Sequence, residues 1–202
     1  MSIHSNITGN NLVANNSGQA SLAILQGGTY NFKHCTFANY FGSFNQVPVL
    51  INDYYETRDT ISVSNVVANF DNCILYGSSN LGVSLEYKYP NDVTFKCIFN
   101  NCLIKTIDFS NQLKKNPLYP FEANNATLVT YTNCLTPKLS TENRPDFEDA
   151  RNNKLNLGDA EGGPNGSANP TIAATVPNDI TGALRSTSAP DMGAYESKPF
   201  AE

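Results

Sequence analysis

The sequence predicts an all-β fold whose short strands stack in successive turns of the chain, and three observations carry that expectation. First, one phrase recurs four times: an aromatic residue, two polar residues, a cysteine, then an apolar or β-branched residue. The copies begin at Phe32-Lys33-His34-Cys35, Phe70-Asp71-Asn72-Cys73, Phe99-Asn100-Asn101-Cys102 and Tyr131-Thr132-Asn133-Cys134. Their cysteines lie 38, 29 and 32 residues apart, a repeat length that marks stacked similar units. Second, alternation places Phe95, Cys97 and Phe99 on one face of a strand, and Cys102 and Ile104 on one face of another. The step from Phe99 to Cys102 is odd, so the chain must turn a corner between them. Third, each cysteine follows His34, Asn72, Asn101 or Asn133, and Asn and His are enriched at positive φ. Asn is common here, 28 of 202 residues, so a single match carries no weight. Three of four at one fixed offset, with His as the fourth, does.

Stacked corners put like side chains about 4.8 Å apart along the stack. Cys35, Cys73, Cys102 and Cys134 then form an internal file small enough for a tight corner. His34, Asn72, Asn101 and Asn133 form a parallel file whose side chains can bond from turn to turn. This is the signature of a parallel β-helix. Adjacent corners also fall within disulfide reach, but each cysteine occupies a core apolar slot, which favours free buried thiols.

In chain order, residues 1–20 read as turn material around Leu12-Val13-Ala14, and residues 2–10 as a degenerate corner. Strands are expected at 22–25 and 30–37, separated by Gly27-Gly28. The next coil runs through 48–52, 60–67 and 69–76, and another through 81–89 and 93–106. An insertion at 107–125 precedes the last phrase, 127–135. Residues 1–137 thus supply the coils. Residues 138–202, aperiodic apart from Leu155 and Leu157, are expected to wrap along the side of the same domain and cap it. The cap would seal the last coil, whose edge otherwise stays open to another chain.

Hydrophobic content of 40% and charged content of 15% suit short strands and many turns. A net charge of −5 argues against nucleic acid or an anionic membrane as partner. No apolar stretch reaches membrane-spanning length, so no insertion is expected. No cap is visible at the N-terminal end, which is expected to continue into further coils or a partner.

On the repeated phrases, the chain resembles the right-handed parallel β-helix proteins of the pectate-lyase-like superfamily. Its tail, Asp179-Ile180-Thr181-Gly182-Ala183-Leu184-Arg185 followed by Pro190-Asp191-Met192-Gly193-Ala194-Tyr195-Glu196, resembles the closing segment of bacterial choice-of-anchor Q proteins, common in Bacteroidota. The resemblance implies a secreted or cell-surface protein. It also implies a cap built on Asp179, Arg185, Asp191, Gly193 and Tyr195, with Arg185 paired to Asp179 or Asp191.

Polysaccharide lyases on this fold need a base and a cation that neutralises a uronate carboxylate, and hydrolases need clustered carboxylates. The four arginines (Arg58, Arg144, Arg151 and Arg185) are scattered, and no Asp-Asp or Asp-x-Asp occurs. A lyase or hydrolase would therefore draw part of its site from upstream coils. The better candidate is aromatic. Two coil openings look equivalent, Val49 to Glu56 and Val83 to Pro90. Their stacking would gather Tyr54, Tyr55, Tyr87 and Tyr89 beside Asp53, Glu56, Arg58, Glu86 and Lys88. Tyrosine offers an apolar face with a polar tip, which suits a sugar ring. No cofactor is expected; Asp53, Glu56 and Asp59 give weak grounds for Ca²⁺. The expected function is a non-catalytic surface module that binds polysaccharide or cell-surface glycan, or serves as adhesin or spacer.

Overall fold

A computed structural model describes residues 1–42, 45–88, 93–119, 128–137, 139 and 141–200. Its regular structure is mostly strand: β1 (Ser2–Asn10), β2 (Val13–Ala14), β3 (Ala20–Lys33), β4 (Thr36–Asn39), β5 (Val47–Asn52), β6 (Tyr54–Glu56), β7 (Ile61–Val63) and β8 (Val66–Asp71). These are followed by β9 (Ile74–Gly77), β10 (Val83–Glu86), β11 (Phe95–Asn100), β12 (Leu103–Ile104), β13 (Val129–Thr132), β14 (Phe147–Asp149) and β15 (Lys154–Leu157).

Most of them form two curled parallel sheets. The first runs β10-β5-β3-β8-β11-β13 with β1 along β3, and the second runs β12-β9-β4-β2. β3 serves two neighbours on one edge, pairing with β5 over residues 20–24 and with β8 over residues 28–33. It bends between them, where Gln26, Gly27 and Gly28 have φ of 56°, 91° and 118°. Residues 22–25 and 30–33 therefore belong to one bent strand, because hydrogen bonding to β1 continues past the glycines.

The register aligns the repeated phrases. Phe32 lies opposite Phe70, Phe70 opposite Phe99, and Phe99 opposite Tyr131. Their rings form a column, with centroids 5.1 Å apart for Phe70–Phe99 and for Phe99–Tyr131. That is close to the spacing of neighbouring strands. Beside it, the amides of Cys35 and Cys73 each donate to the sulfur of the next tier, Cys73 and Cys102, at 3.4 Å. The thiols of Cys73, Cys102 and Cys134 donate to the carbonyls of Phe32, Phe70 and Phe99. A corner leaves backbone groups without a ladder partner, and a side chain that both weakly donates and accepts serves them in a tight space. All five cysteines are free thiols. Burial pushes the thiols of Cys35, Cys97 and Cys102 up.

His34, Asn72, Asn101 and Asn133 are all left-handed, with φ between 48° and 53°. The file they form is bonded at one step: Asn72 Nδ2 meets His34 Nε2 at 2.9 Å. The remaining amide capacity of Asn72 goes to the backbone of Asn169, both N–H and C=O. Among the described residues, Asn101 and Asn133 make no side-chain bond along the file.

Several sequence expectations are corrected. Residues 2–10 form a strand, not a corner, because pairing with β3 outweighs a polar, Gly-containing sequence. The corner of this first tier is Asn11 (φ 54°). Residues 60–67 do not continue one strand; β6 and β7 form an antiparallel hairpin that leaves the stack after Asn52 and rejoins it at β8. Residues 138–178 include a second hairpin, β14–β15.

The tail segment 179–196 does not close the stack beyond Leu135. Its hydrogen bonds to the sheets run to the side of the first three tiers. Gly193 N donates to Asn72 O, Ala194 N to Thr36 Oγ1, and Arg185 Nη2 to Asn11 Oδ1. Gly193 (φ 87°) presses so closely that a Cβ there would strike Ile74 and Thr36. The reason is apolar. The outward face of the second sheet carries Ile74, Tyr76 and Leu103, which pack with Leu157, Ala168 and Met192 into a second core. Coverage near the end of the stack comes instead from Leu118 and Tyr119, both buried. The Tyr119 hydroxyl accepts from Leu85 N and donates to Val83 O, standing in for a further strand along β10.

Arg185 also departs from expectation. Its ion pair is with Glu196 (3.3 Å), and Asp179 and Asp191 instead hold backbone turns. Burial works to raise the Asp179 carboxyl, but bonds from Glu196 N, the Thr181 hydroxyl and N–H, and Ala183 N hold it below the usual range. Tyr195 is half-buried, and desolvation pushes its phenol up.

Candidate functional site

The register of β5 and β10 builds the surface of most interest. Val83, Ser84, Leu85 and Glu86 lie opposite Val49, Leu50, Ile51 and Asn52. Alternation buries Ile51 and Leu85 and turns Asn52 and Glu86 outward. Beyond the strand ends the chains stay in touch, since Lys88 N donates to Asp53 Oδ1 at 3.0 Å.

Outside this junction lies a compact polar group. Tyr54 Oη donates to Glu86 Oε2 at 2.8 Å. That bond, with desolvation and nearby carboxylates, pushes the phenol up to about 12. Lys88 Nζ reaches Glu56 Oε2 at 2.7 Å and sits 5.0 Å from the centre of the Tyr54 ring. Both partners of this ion pair are substantially solvated, so it is worth about 0–1 kcal/mol. It orients side chains more than it stabilises the fold. The hairpin supports the group from behind, with Tyr54 and Tyr55 opposite Val63 and Ser62. Its tip is closed by the Thr57 and Thr60 hydroxyls, 2.8 Å apart. That support was missed in the sequence, although two β-rich triplets flanking Thr57-Arg58-Asp59-Thr60 are a hairpin signal.

Tyr54, Glu56, Glu86 and Lys88 are therefore brought together. Tyr55 is 56% exposed on the other face of β6, and Arg58 is exposed at the hairpin tip. Two residues expected at the rim face inward. Tyr87 packs on the core with its ring 5.9 Å from that of Phe95. Asp53 is fully buried. Tyr89 lies outside the described residues.

No family model, curated protein or solved structure matches the chain.

Asp53 has one oxygen bonded to Lys88 N, while Oδ2 has no partner among the described residues. Desolvation pushes its carboxyl up. A raised carboxyl pKa means that folding opposes ionisation, so its contribution to stability is lost as pH rises through the folded value. Asp53→Asn is expected to raise stability at pH 7 by about 1 kcal/mol, read as a higher urea midpoint. An unchanged or lower midpoint would show that the charge is not a burden.

Among the described residues no three His, Cys, Asp or Glu side chains are placed to hold a metal ion. Asp53, Glu56 and Asp59 do not form a calcium cage, since Asp53 turns inward and Glu56 binds Lys88. No helix among the described residues is long and apolar enough to cross a membrane. The surface can donate and accept hydrogen bonds and can present a phenol ring to an apolar ligand face.

Proposed function

We propose that this chain is a non-catalytic, right-handed parallel β-helix module of the pectate-lyase-like type. It works at the bacterial cell surface or outside the cell, binding polysaccharide through Tyr54, Glu56, Glu86 and Lys88. The observation that carries the reading is the in-register opening of β5 and β10, which gathers a ring, two carboxylates and an ammonium on one rim. Sugar rings carry both C–H faces and hydroxyls, and such a mixed surface suits both. Support for the winding comes from the parallel ladders and left-handed corners. The right hand rests on the strong preference of parallel crossovers.

A glycan array is the test, with wild type beside Tyr54→Ala and Lys88→Met. Wild type is expected to retain a defined set of glycans, and each variant to weaken binding about tenfold, a change of about 1.4 kcal/mol. Tyr87 is left intact because it packs on the core. A wild type that retains no glycan would end the binding reading. Release of unsaturated uronates or reducing sugar from any bound polysaccharide would replace it with an enzymatic one.

A further inference from the structure

Four of the five cysteines form the file, and Cys35, Cys73 and Cys102 within it are buried. Cys134, the last of the four, is the one that reaches solvent. Cys97 stands apart on β11, where the register places it between Ala68 and Val129.

Cys134 faces Cys102 across a corner that is paired on both sides. Before the corner Asn100 lies opposite Thr132, and after it Leu103 pairs in parallel with Leu135. Between them Asn101 N donates to Thr132 O at 2.8 Å and Leu135 N to Cys102 O at 2.9 Å. Asn101 and Asn133 have φ of 48° and 51°, so the two tiers turn alike. The Cα atoms of Cys102 and Cys134 are thus held at the strand spacing of about 4.8 Å. That falls within the roughly 4.4–6.8 Å that a disulfide spans. Both thiols donate to carbonyls, Cys134 to Phe99 and Thr132, and Cys102 to Phe70 and Asn100. Such bonds are weak and leave each sulfur able to turn toward the other. The Cys102 thiol also pulls the Cys134 pKa down, against burial and with help from backbone bonds.

We propose that Cys134 is a peroxide-reactive thiol and that Cys102 resolves it, closing a disulfide between these two tiers. The Cys134 thiolate attacks one oxygen of hydrogen peroxide, the O–O bond breaks, and hydroxide leaves. Cys134 has then lost two electrons and carries a sulfenic acid. The Cys102 sulfur attacks Cys134 Sγ, the S–O bond breaks, and the oxygen leaves with the Cys102 proton as water. In sum, two thiols are oxidised to one disulfide and one peroxide is reduced to two waters. Cys35–Cys73 and Cys73–Cys102 stack in the same way, but burial keeps an oxidant from them. The inference does not depend on the glycan reading.

The test treats the reduced full chain with excess hydrogen peroxide and counts its thiols after unfolding. The count is expected to fall from five to three, the two joined cysteines being lost. Intact mass should drop by about 2 Da, the two hydrogens of a disulfide, and return with dithiothreitol. Tryptic mapping should join residues 97–105 to 116–138, with fragment spectra placing the link on Cys102 and Cys134. Dimedone added with the peroxide is expected on Cys134 and no other cysteine. Cys134→Ser, with the circular dichroism of wild type, should keep all of its remaining thiols. Five thiols left in treated wild type overturn the proposal. So does a link through Cys97 or between two chains, dimedone on another cysteine, or a thiol count that still falls in Cys134→Ser.

Discussion

Arg185→Met is expected to lower stability by roughly 3–5 kcal/mol, the usual cost of stranding one partner of a buried ion pair. For a chain of this size that corresponds to a melting temperature about 10 °C lower. The guanidinium is buried and holds four groups at once: Glu196 Oε2 at 3.3 Å, Asn11 Oδ1 at 2.9 Å, and the carbonyls of Gly193 and Ala194 at 3.1 and 3.3 Å. Removing it leaves Glu196 inside, where desolvation already pushes its carboxyl up. Lysine should not restore stability, because a single ammonium cannot reproduce the planar fork. The double variant Arg185→Met with Glu196→Gln should recover part of the loss by removing the stranded charge. Thermal melts of wild type, Arg185→Met, Glu196→Gln and the double variant give the coupling. Equal stability of wild type and Arg185→Met would show that apolar packing alone holds the tail.

His34→Asn is expected to remove an acid sensitivity of about 2 kcal/mol between pH 7 and pH 5. The imidazole is fully buried. Desolvation, then the Arg185 guanidinium and more weakly the Lys33 ammonium, push its pKa down to about 3, against the carbonyls of Gly193 and Asp191. The folded value lies below the ordinary 6.5, so the unfolded chain takes up the proton first. Stability is therefore complete above about 6.5 and falls as pH drops toward about 3. Asp179, whose carboxyl is held low, acts in the same direction but below the ordinary carboxylate range. Asp53 and Glu196, whose carboxyls desolvation pushes up, act in the opposite direction, so between pH 7 and pH 5 the difference between wild type and His34→Asn isolates the histidine's share. Asparagine tolerates the left-handed backbone at φ 50° and its oxygen can accept from Asn72 Nδ2. Denaturation midpoints of wild type should fall across this interval while those of His34→Asn stay nearly level. Parallel declines would assign the sensitivity to another group.

The candidate site was only partly legible in the sequence. The likeness of Val49-Leu50-Ile51-Asn52 to Val83-Ser84-Leu85-Glu86 reflects a real register, since alternation fixes which residues turn outward. The residues past the strand ends were harder. Asp53 and Tyr87 face inward because the alternation of β5 and β10 continues past the last paired residues, so simple proximity in sequence placed them wrongly at the rim. The group Tyr54, Glu56, Glu86 and Lys88 depends on contacts across 32 residues, which no local pattern specifies.

What the sequence determined by itself was whatever acts within a few residues. Alternation selected the buried faces of β8 and β11, and the Asn or His before Cys35, Cys73, Cys102 and Cys134 took the left-handed corners. Backbone sterics and side-chain period are local, so they can be read locally. Only the tertiary structure decided where the last third of the chain goes. Asn72 grips Asn169 from 97 positions away and Arg185 reaches Asn11 across 174. The uncovered face of Ile74, Tyr76 and Leu103 drew the tail to the side of the stack. Burying an apolar surface is non-directional, and which distant segment supplies the cover depends on the shape that all the other segments have already made.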